Sequence, residues 1–123
     1  VDSTRLKNLP PFAIRGNPVD LTGSATASHF LDGIEALLQD DDVDIIMPFF
    51  VFKDVPLLDT LQELYDGLAS LNATKTIVMV ALGSRFVEKQ QHRMRKLGIP
   101  LITEPSRAAA TLDKLVWYTR WQR

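Results

Sequence analysis

Apolar residues return at helical spacing in four stretches, and between them lie short runs that are apolar almost throughout, so helices and buried strands are predicted in alternation. After a candidate cap at Thr26, Phe30, Leu31, Ile34, Leu37 and Leu38 form the inner stripe of a first helix, with Asp32 and Glu35 outside it. The run Val43 to Phe52 is apolar apart from Asp44, as expected for a central strand covered on both faces, and Pro48 predicts a local interruption of its pairing. Leu57, Leu58, Leu61, Leu64, Tyr65, Leu68 and Leu71 give a second helix, with Pro56 in its first turn and Asn72 near its end. Thr76 to Leu82 is the next buried strand.

A third helix is predicted from Ser84 to Gly98, a left-handed stop, followed by a short strand over Pro100-Leu101-Ile102-Thr103. Pro105 opens a last helix whose inner stripe is Ala108, Ala109, Leu112, Leu115 and Val116. Ahead of these elements stands Gly16-Asn17-Pro18-Val19-Asp20-Leu21-Thr22-Gly23-Ser24-Ala25-Thr26, which reads as turn, strand Val19-Leu21, loop and helix start. Strands alternating with helices through short connections predict an α/β, three-layer α/β/α flavodoxin-like domain with a mostly parallel sheet. Residues 13–123 are expected to form this domain. Residues 1–12, with Pro10-Pro11, are expected to be a linker leading into it that packs at most in part.

The 46% hydrophobic content over 123 residues suits a single core. A net charge of -1 gives no global attraction to nucleic acid or an anionic membrane, and no apolar run reaches the roughly 20 residues of a membrane span. Without cysteine there is no disulfide, thiol nucleophile or zinc-thiolate site, which fits a reducing compartment, and the expected location is cytoplasmic. Beginning at Val1, the chain is expected to be a piece of a longer protein.

In folds of this class ligands gather where strands end and helices begin. That edge carries Asp20, Thr22, Gly23, Lys53, Asp54, Gly83, Ser84, Thr103, Glu104 and Ser106, with Asn17 in the first turn. Asp40-Asp41-Asp42 lies at the other edge. It is set down as a solvated turn rather than a metal site, because no further carboxylates stand at fixed spacing. His29, in the first turn of the first helix, is weighed as a catalytic group against a surface or half-buried histidine, and the second reading is favoured because the sequence places no nucleophile or orienting carboxylate beside it. Arg85, Lys89, His92, Arg93 and Lys96 share one side of the third helix, read as a solvent face in preference to a docking face. Trp117 is assigned to the core, and Trp121 to core or contact surface. No glycine-rich phosphate fingerprint, nucleophile elbow or metal-binding histidine pair is present, and no catalytic residue is assigned.

Gly16-Asn17-Pro18-Val19-Asp20-Leu21-Thr22-Gly23, the strand Val43-Asp44-Ile45-Ile46, Thr76-Ile77-Val78-Met79-Val80, Gly98-Ile99-Pro100-Leu101 and Glu104-Pro105-Ser106-Arg107-Ala108-Ala109 occur in this order. Together they resemble the ligase-type flavodoxin-like domain of NDP-forming acyl-CoA synthetases, within the succinyl-CoA synthetase-like superfamily. The resemblance implies a parent enzyme that exchanges an acyl-CoA thioester for an acyl phosphate and passes the phosphoryl group through a histidine to ADP or GDP. That histidine belongs to another domain, beside which this one is expected to pack, contributing loops and a helix N-terminus to the active-site interface, and neither His29 nor His92 matches it. The parent is expected to use CoA, ADP/ATP or GDP/GTP, and Mg, none of them held by this domain alone. Its expected partners are other domains or subunits of the same synthetase, with oligomerisation left open and neither nucleic acid nor membrane involved.

On this resemblance the active-site interface comprises Asn17, Asp20, Thr22 and Gly23 in the first loop, Lys53 and Asp54 in the second, and Gly83 and Ser84 in the third, with the alternative that Asp20 and Thr22 only cap the first loop. Where succinyl-CoA synthetases carry a glycine-rich loop, this chain has Phe50-Val51-Phe52-Lys53-Asp54-Val55-Pro56. Phe52 and Val55 restrict close backbone approach there, and Lys53 supplies charge instead. The alternative is a non-catalytic, ligand-sensing or regulatory module of a synthetase-like protein acyltransferase.

Overall fold

A computed structural model describes residues 1–82 and 84–123. Helix α1 (Ala27–Leu38) precedes β1 (Ile45–Ile46) and β2 (Phe49–Phe50). Helices α2 (Val55–Asp59) and α3 (Leu61–Ser70) lead to β3 (Thr76–Ile77) and β4 (Met79–Ala81). Helix α4 (Arg85–Lys96), β5 (Leu101–Ile102) and α5 (Pro105–Trp121) complete the order. The strands pair in parallel: β1 with β3, β2 with β4 and β4 with β5. The Val78 amide donates to the Ile46 carbonyl at 3.0 Å and the Val80 amide to the Pro48 carbonyl at 2.8 Å, so the short ladders join into one three-stranded sheet.

The two crossovers step across this sheet in the same direction, which places α3 and α4 on the same face when both are right-handed. Ile77, Met79 and Ala81 point into the core built with α1, α3 and α4. The intervening Val78 and Val80 are buried toward the opposite face. Helix α5 contacts β4 and β5, and its Ala108 is fully buried. The expected α/β/α layering is therefore present, with a mostly parallel sheet.

Several local expectations are corrected. Val43 to Phe52 supplies an edge strand, not a central one, and its pairing skips Met47-Pro48; Pro48 has no amide to donate to a ladder. Val19-Leu21 forms no strand: Asp20 makes one isolated antiparallel bridge with Ile14, at 2.9 and 3.0 Å. The second helix is two, α2 and α3, broken at Thr60. Thr60 Oγ1 donates to the Pro56 carbonyl at 2.8 Å and accepts the Ala27 amide at 2.9 Å, so a side chain with long-range work sits at the break. In α5 only Ala108 of the expected stripe is buried; Leu112 and Val116 are half-buried, while Ala109, Leu115 and Trp117 are exposed.

The acidic turn is not wholly solvated either. Asp40 is buried and accepts the Asp2 amide at 2.6 Å and the Asp42 amide at 3.0 Å. These two bonds, the Asp2 amide first, hold its carboxyl below the ordinary value of 3.8. Lys75 Nζ donates to the carbonyls of Leu37, at 3.2 Å, and Asp40, placing a cation at the C-terminal end of α1. At the start of the chain, Leu6 and Leu9 are buried in a small cluster with Ala13. The Arg15 guanidinium donates to the carbonyls of Leu6 at 3.0 Å and Leu9 at 2.7 Å.

Candidate functional site

Beside the free edge of β1 and β2 lies a cleft of about 830 Å³, bounded on its other side by residues 16–23. Asn17, Asp20, Thr22, Gly23 and Asp54 all line it. Its walls are otherwise largely apolar, from side chains such as Leu21, Phe30, Ile34 and Met47. The first and second loops meet there: a Cβ on Gly23 would lie 3.7 Å from Asp54 Oδ2. Lys53 and Ser84 are exposed and do not line the cleft. Gly83 lies outside the described residues.

The first loop spends its polar groups on itself. The Asn17–Pro18 peptide is cis, and Thr22 has φ +60, a conformation rarely taken by a β-branched residue. Asp20 Oδ1 accepts the Thr22 amide at 2.8 Å, Thr22 Oγ1 accepts the Ser24 amide at 3.3 Å, and the Thr22 carbonyl accepts the Ala25 amide at 3.4 Å. At the start of α1 the Thr26 amide donates to His29 Nδ1 at 3.2 Å, and the Ala27 amide is taken by Thr60. His29 is thus half-buried and engaged in capping, with Phe12 edge-on at 5.9 Å. Nδ1 is an acceptor in this arrangement, which leaves its proton on Nε2.

These bonds decide what the cleft can hold. Free amides at a helix start favour an anion, but the amides of Thr22, Ser24, Ala25, Thr26 and Ala27 already have acceptors. No lysine, arginine or histidine side chain is among the described residues lining it, whereas Asp20 and Asp54 are. A bare phosphate would meet carboxylates without compensating charge; an apolar group bearing hydrogen-bond donors fits better. Among the described residues lining this cleft, no basic side chain stands ready to balance a phosphate.

Exposed apolar side chains cluster in the chain segments at the same end of the sheet. Phe49 in β2 and Val51 just after it flank the buried Phe50, Val55 opens α2, and Leu82 follows β4; these four are each more than half exposed. Sequence periodicity assigned Phe49 and Val51 to a covered strand and so missed this surface. The signal that locates it is spatial, the edge position of the strand.

No protein-family model matches the chain. It is 29% identical over 111 residues to the ADP-forming acetate–CoA ligase II subunit alpha of Pyrococcus furiosus, an alignment covering 88% of this chain and 24% of that protein. It is also 29% identical over 104 residues to ADP-forming acetate–CoA ligase I of Archaeoglobus fulgidus, covering 85% and 14%. Among solved structures, the dinucleotide-forming acetyl-coenzyme A synthetase 1 of Ca. Korarchaeum cryptofilum superposes with a TM-score of 0.65 at 26% identity, over 94% of this chain and 25% of that one. The same enzyme is also solved with phosphate and ADP. The chain spans about a quarter or less of the length of these relatives. In sequence and in fold, most of this chain is similar to a domain-sized part of NDP-forming acetyl-CoA synthetases, as the resemblance in its motifs implies.

Proposed function

We propose that this chain is one domain of an NDP-forming acyl-CoA synthetase, an acid–thiol ligase working through an acyl phosphate and a phosphohistidine, and that it contributes a domain interface rather than the nucleophile. The observation that carries this reading is the match of nearly the whole chain to one part of ADP-forming acetate–CoA ligases, in sequence and in fold alike. The exposed Phe49, Val51, Val55 and Leu82 add support, since apolar side chains grouped at one edge are typical of surfaces that another domain covers. In the parent, Asn17, Asp20, Thr22, Gly23 and Asp54 shape the cleft, and Lys53 with Ser84 stands outside it toward the neighbouring domain. CoA, the ADP/ATP or GDP/GTP pair and its Mg are bound elsewhere in the parent, whose partners are its own other domains or subunits and whose expected location is cytoplasmic. Among the described residues no helix is long and apolar enough to cross a membrane.

The inward-turned amides and the acidic cleft favour a second reading, a ligand-sensing or regulatory module that keeps the fold without phosphate chemistry. Phosphorylation of the parent from acyl-CoA and phosphate, with and without this segment, separates the two. Phosphoprotein and nucleoside triphosphate formed only when the segment is present support the ligase. An intact, folded parent that never becomes phosphorylated supports the sensor. If Asp20→Ala and Lys53→Ala in an active parent both leave thioester turnover unchanged, the interface assignment is wrong.

A further inference from the structure

Charge is segregated along this chain in a way that its net value of -1 conceals. Residues 27–74 carry ten acidic side chains and one basic, Lys53, whereas residues 75–123 carry ten basic and three acidic. Folding sets the two kinds side by side. Helices α3 and α4 are joined by the Tyr65 hydroxyl, which donates to Gln90 Oε1, and by Arg93 Nη2, which donates to Gln62 Oε1 at 3.0 Å. The Arg93 guanidinium lies 3.6 Å over the Tyr65 ring. Outward, α3 exposes Glu63 and Asp66 and is flanked by the exposed Asp32, Glu35 and Asp59. Helix α4 exposes Arg85, Lys89, His92, Arg93, Arg95 and Lys96 against a single Glu88. Among the described residues the one ion pair is Arg5 with Asp2 at 3.9 Å, and it touches neither helix.

We propose that the outer face of α3 and α4 docks a second copy of this chain, the acidic α3 of each copy lying against the basic α4 of the other. Two adjacent helices of opposite charge are self-complementary about a two-fold axis that runs between them and parallel to them. A two-fold axis across the helices would set acid on acid and base on base, so charge selects the first arrangement. Helices of 10 and 12 residues are about 15 and 18 Å long at 1.5 Å per residue, which with a spacing near 10 Å gives roughly 700 Å² of total buried surface. That lies below the roughly 1,200 Å² at which stable interfaces begin, so the dimer is weak, reversible and sensitive to salt. This docking surface does not depend on the ligase reading.

Sedimentation velocity on the chain over a concentration series, at about 50 mM and about 500 mM salt, tests the proposal. The expected result is a monomer–dimer equilibrium at low salt, weakened about tenfold or more at high salt. Lys89→Glu with Lys96→Glu, and separately Glu63→Lys with Asp66→Lys, are each expected to be monomeric, and an equimolar mixture of the two to dimerise. These positions are exposed, and circular dichroism melts confirm that the variants fold; the milder Lys89→Gln with Lys96→Gln is expected to weaken the dimer. A wild-type monomer at both salt concentrations overturns the proposal, as does a dimer indifferent to salt or a mixture that stays monomeric.

Discussion

Gly98 and Asp40 are each held by backbone geometry, one by its own and one by that of distant residues. Gly98 has φ +73 and no atom within 4 Å of the position its Cβ would take, so Gly98→Ala is expected to cost about 1–2 kcal/mol from the left-handed backbone alone, measured by urea denaturation. An unchanged midpoint would mean that the last turn of α4 relaxes freely. This residue is legible in sequence because the stop signal is local. Asp40 is not, because one of its donors is the Asp2 amide, 38 residues away. Its carboxyl is held below 3.8, so the charged form belongs to the folded state. The associated stability is present above the ordinary value and is lost as pH falls through the folded one. Asp40→Asn is therefore expected to be less stable than the parent sequence at pH 7, the gap closing in acid; parallel stability–pH curves would remove the carboxylate from the account. Arg15, half-buried on the Leu6 and Leu9 carbonyls, is likewise held by groups that no local sequence signal announces.

Among the elements, those whose signals lie within one turn of the chain were readable and those fixed by neighbours were not. The stripe of α1, the Ser84 start and Gly98 stop of α4, and the Pro105 opening of α5 all appear where periodicity and capping place them. The Leu57 to Leu71 stripe, by contrast, is continuous in sequence but broken in space, because Thr60 serves the start of α1 as well as its own turn. The strand expected at Val19-Leu21 fails because Asp20 turns back to Ile14 rather than to the edge of β1 and β2. Interhelical distance is the least legible quantity. A Cβ on Gly67 would stand 2.2 Å from Leu31 Cδ1 and 3.0 Å from its Cγ, so α3 approaches α1 across a glycine. Gly67→Ala gains up to about 1 kcal/mol of helix propensity but overpacks this contact, at about 1–3 kcal/mol. Net destabilisation is expected in denaturant melts. Adding Leu31→Ala should make the Gly67→Ala change favourable or neutral, and additive effects in that double-mutant cycle would place the glycine's role elsewhere.

For the whole molecule, the separation between a well-covered and a poorly covered face governs stability. On the first, Leu64, Met79 and Met94 are fully enclosed. On the second, α5 buries Ala108 near its start, then runs out over its remaining length with Leu115 at 44%, Trp117 at 64% and Trp121 at 72% exposure. A helix of 17 residues is held chiefly by packing rather than by propensity, so the turns beyond Leu112 have little to resist fraying. Hydrogen exchange of the chain is therefore expected to be at least about tenfold faster over residues 117–121 than over β4, which pairs with β2 on one side and β5 on the other and lies in the core. Removing residues 113–123 should correspondingly shift the melting temperature only slightly, whereas Ala108→Asp, which places a charge against the sheet, should unfold the domain. If α5 exchanges as slowly as β4, its aromatic side chains are stabilising the helix through one another, as the 6.3 Å stacking of Tyr118 on Trp121 would allow. If it exchanges fast alone and slowly within a larger synthetase chain, the protection comes from a surface that covers Trp117 and Trp121 there. The second outcome would extend the covered interface from the end of the sheet to its thinly covered face.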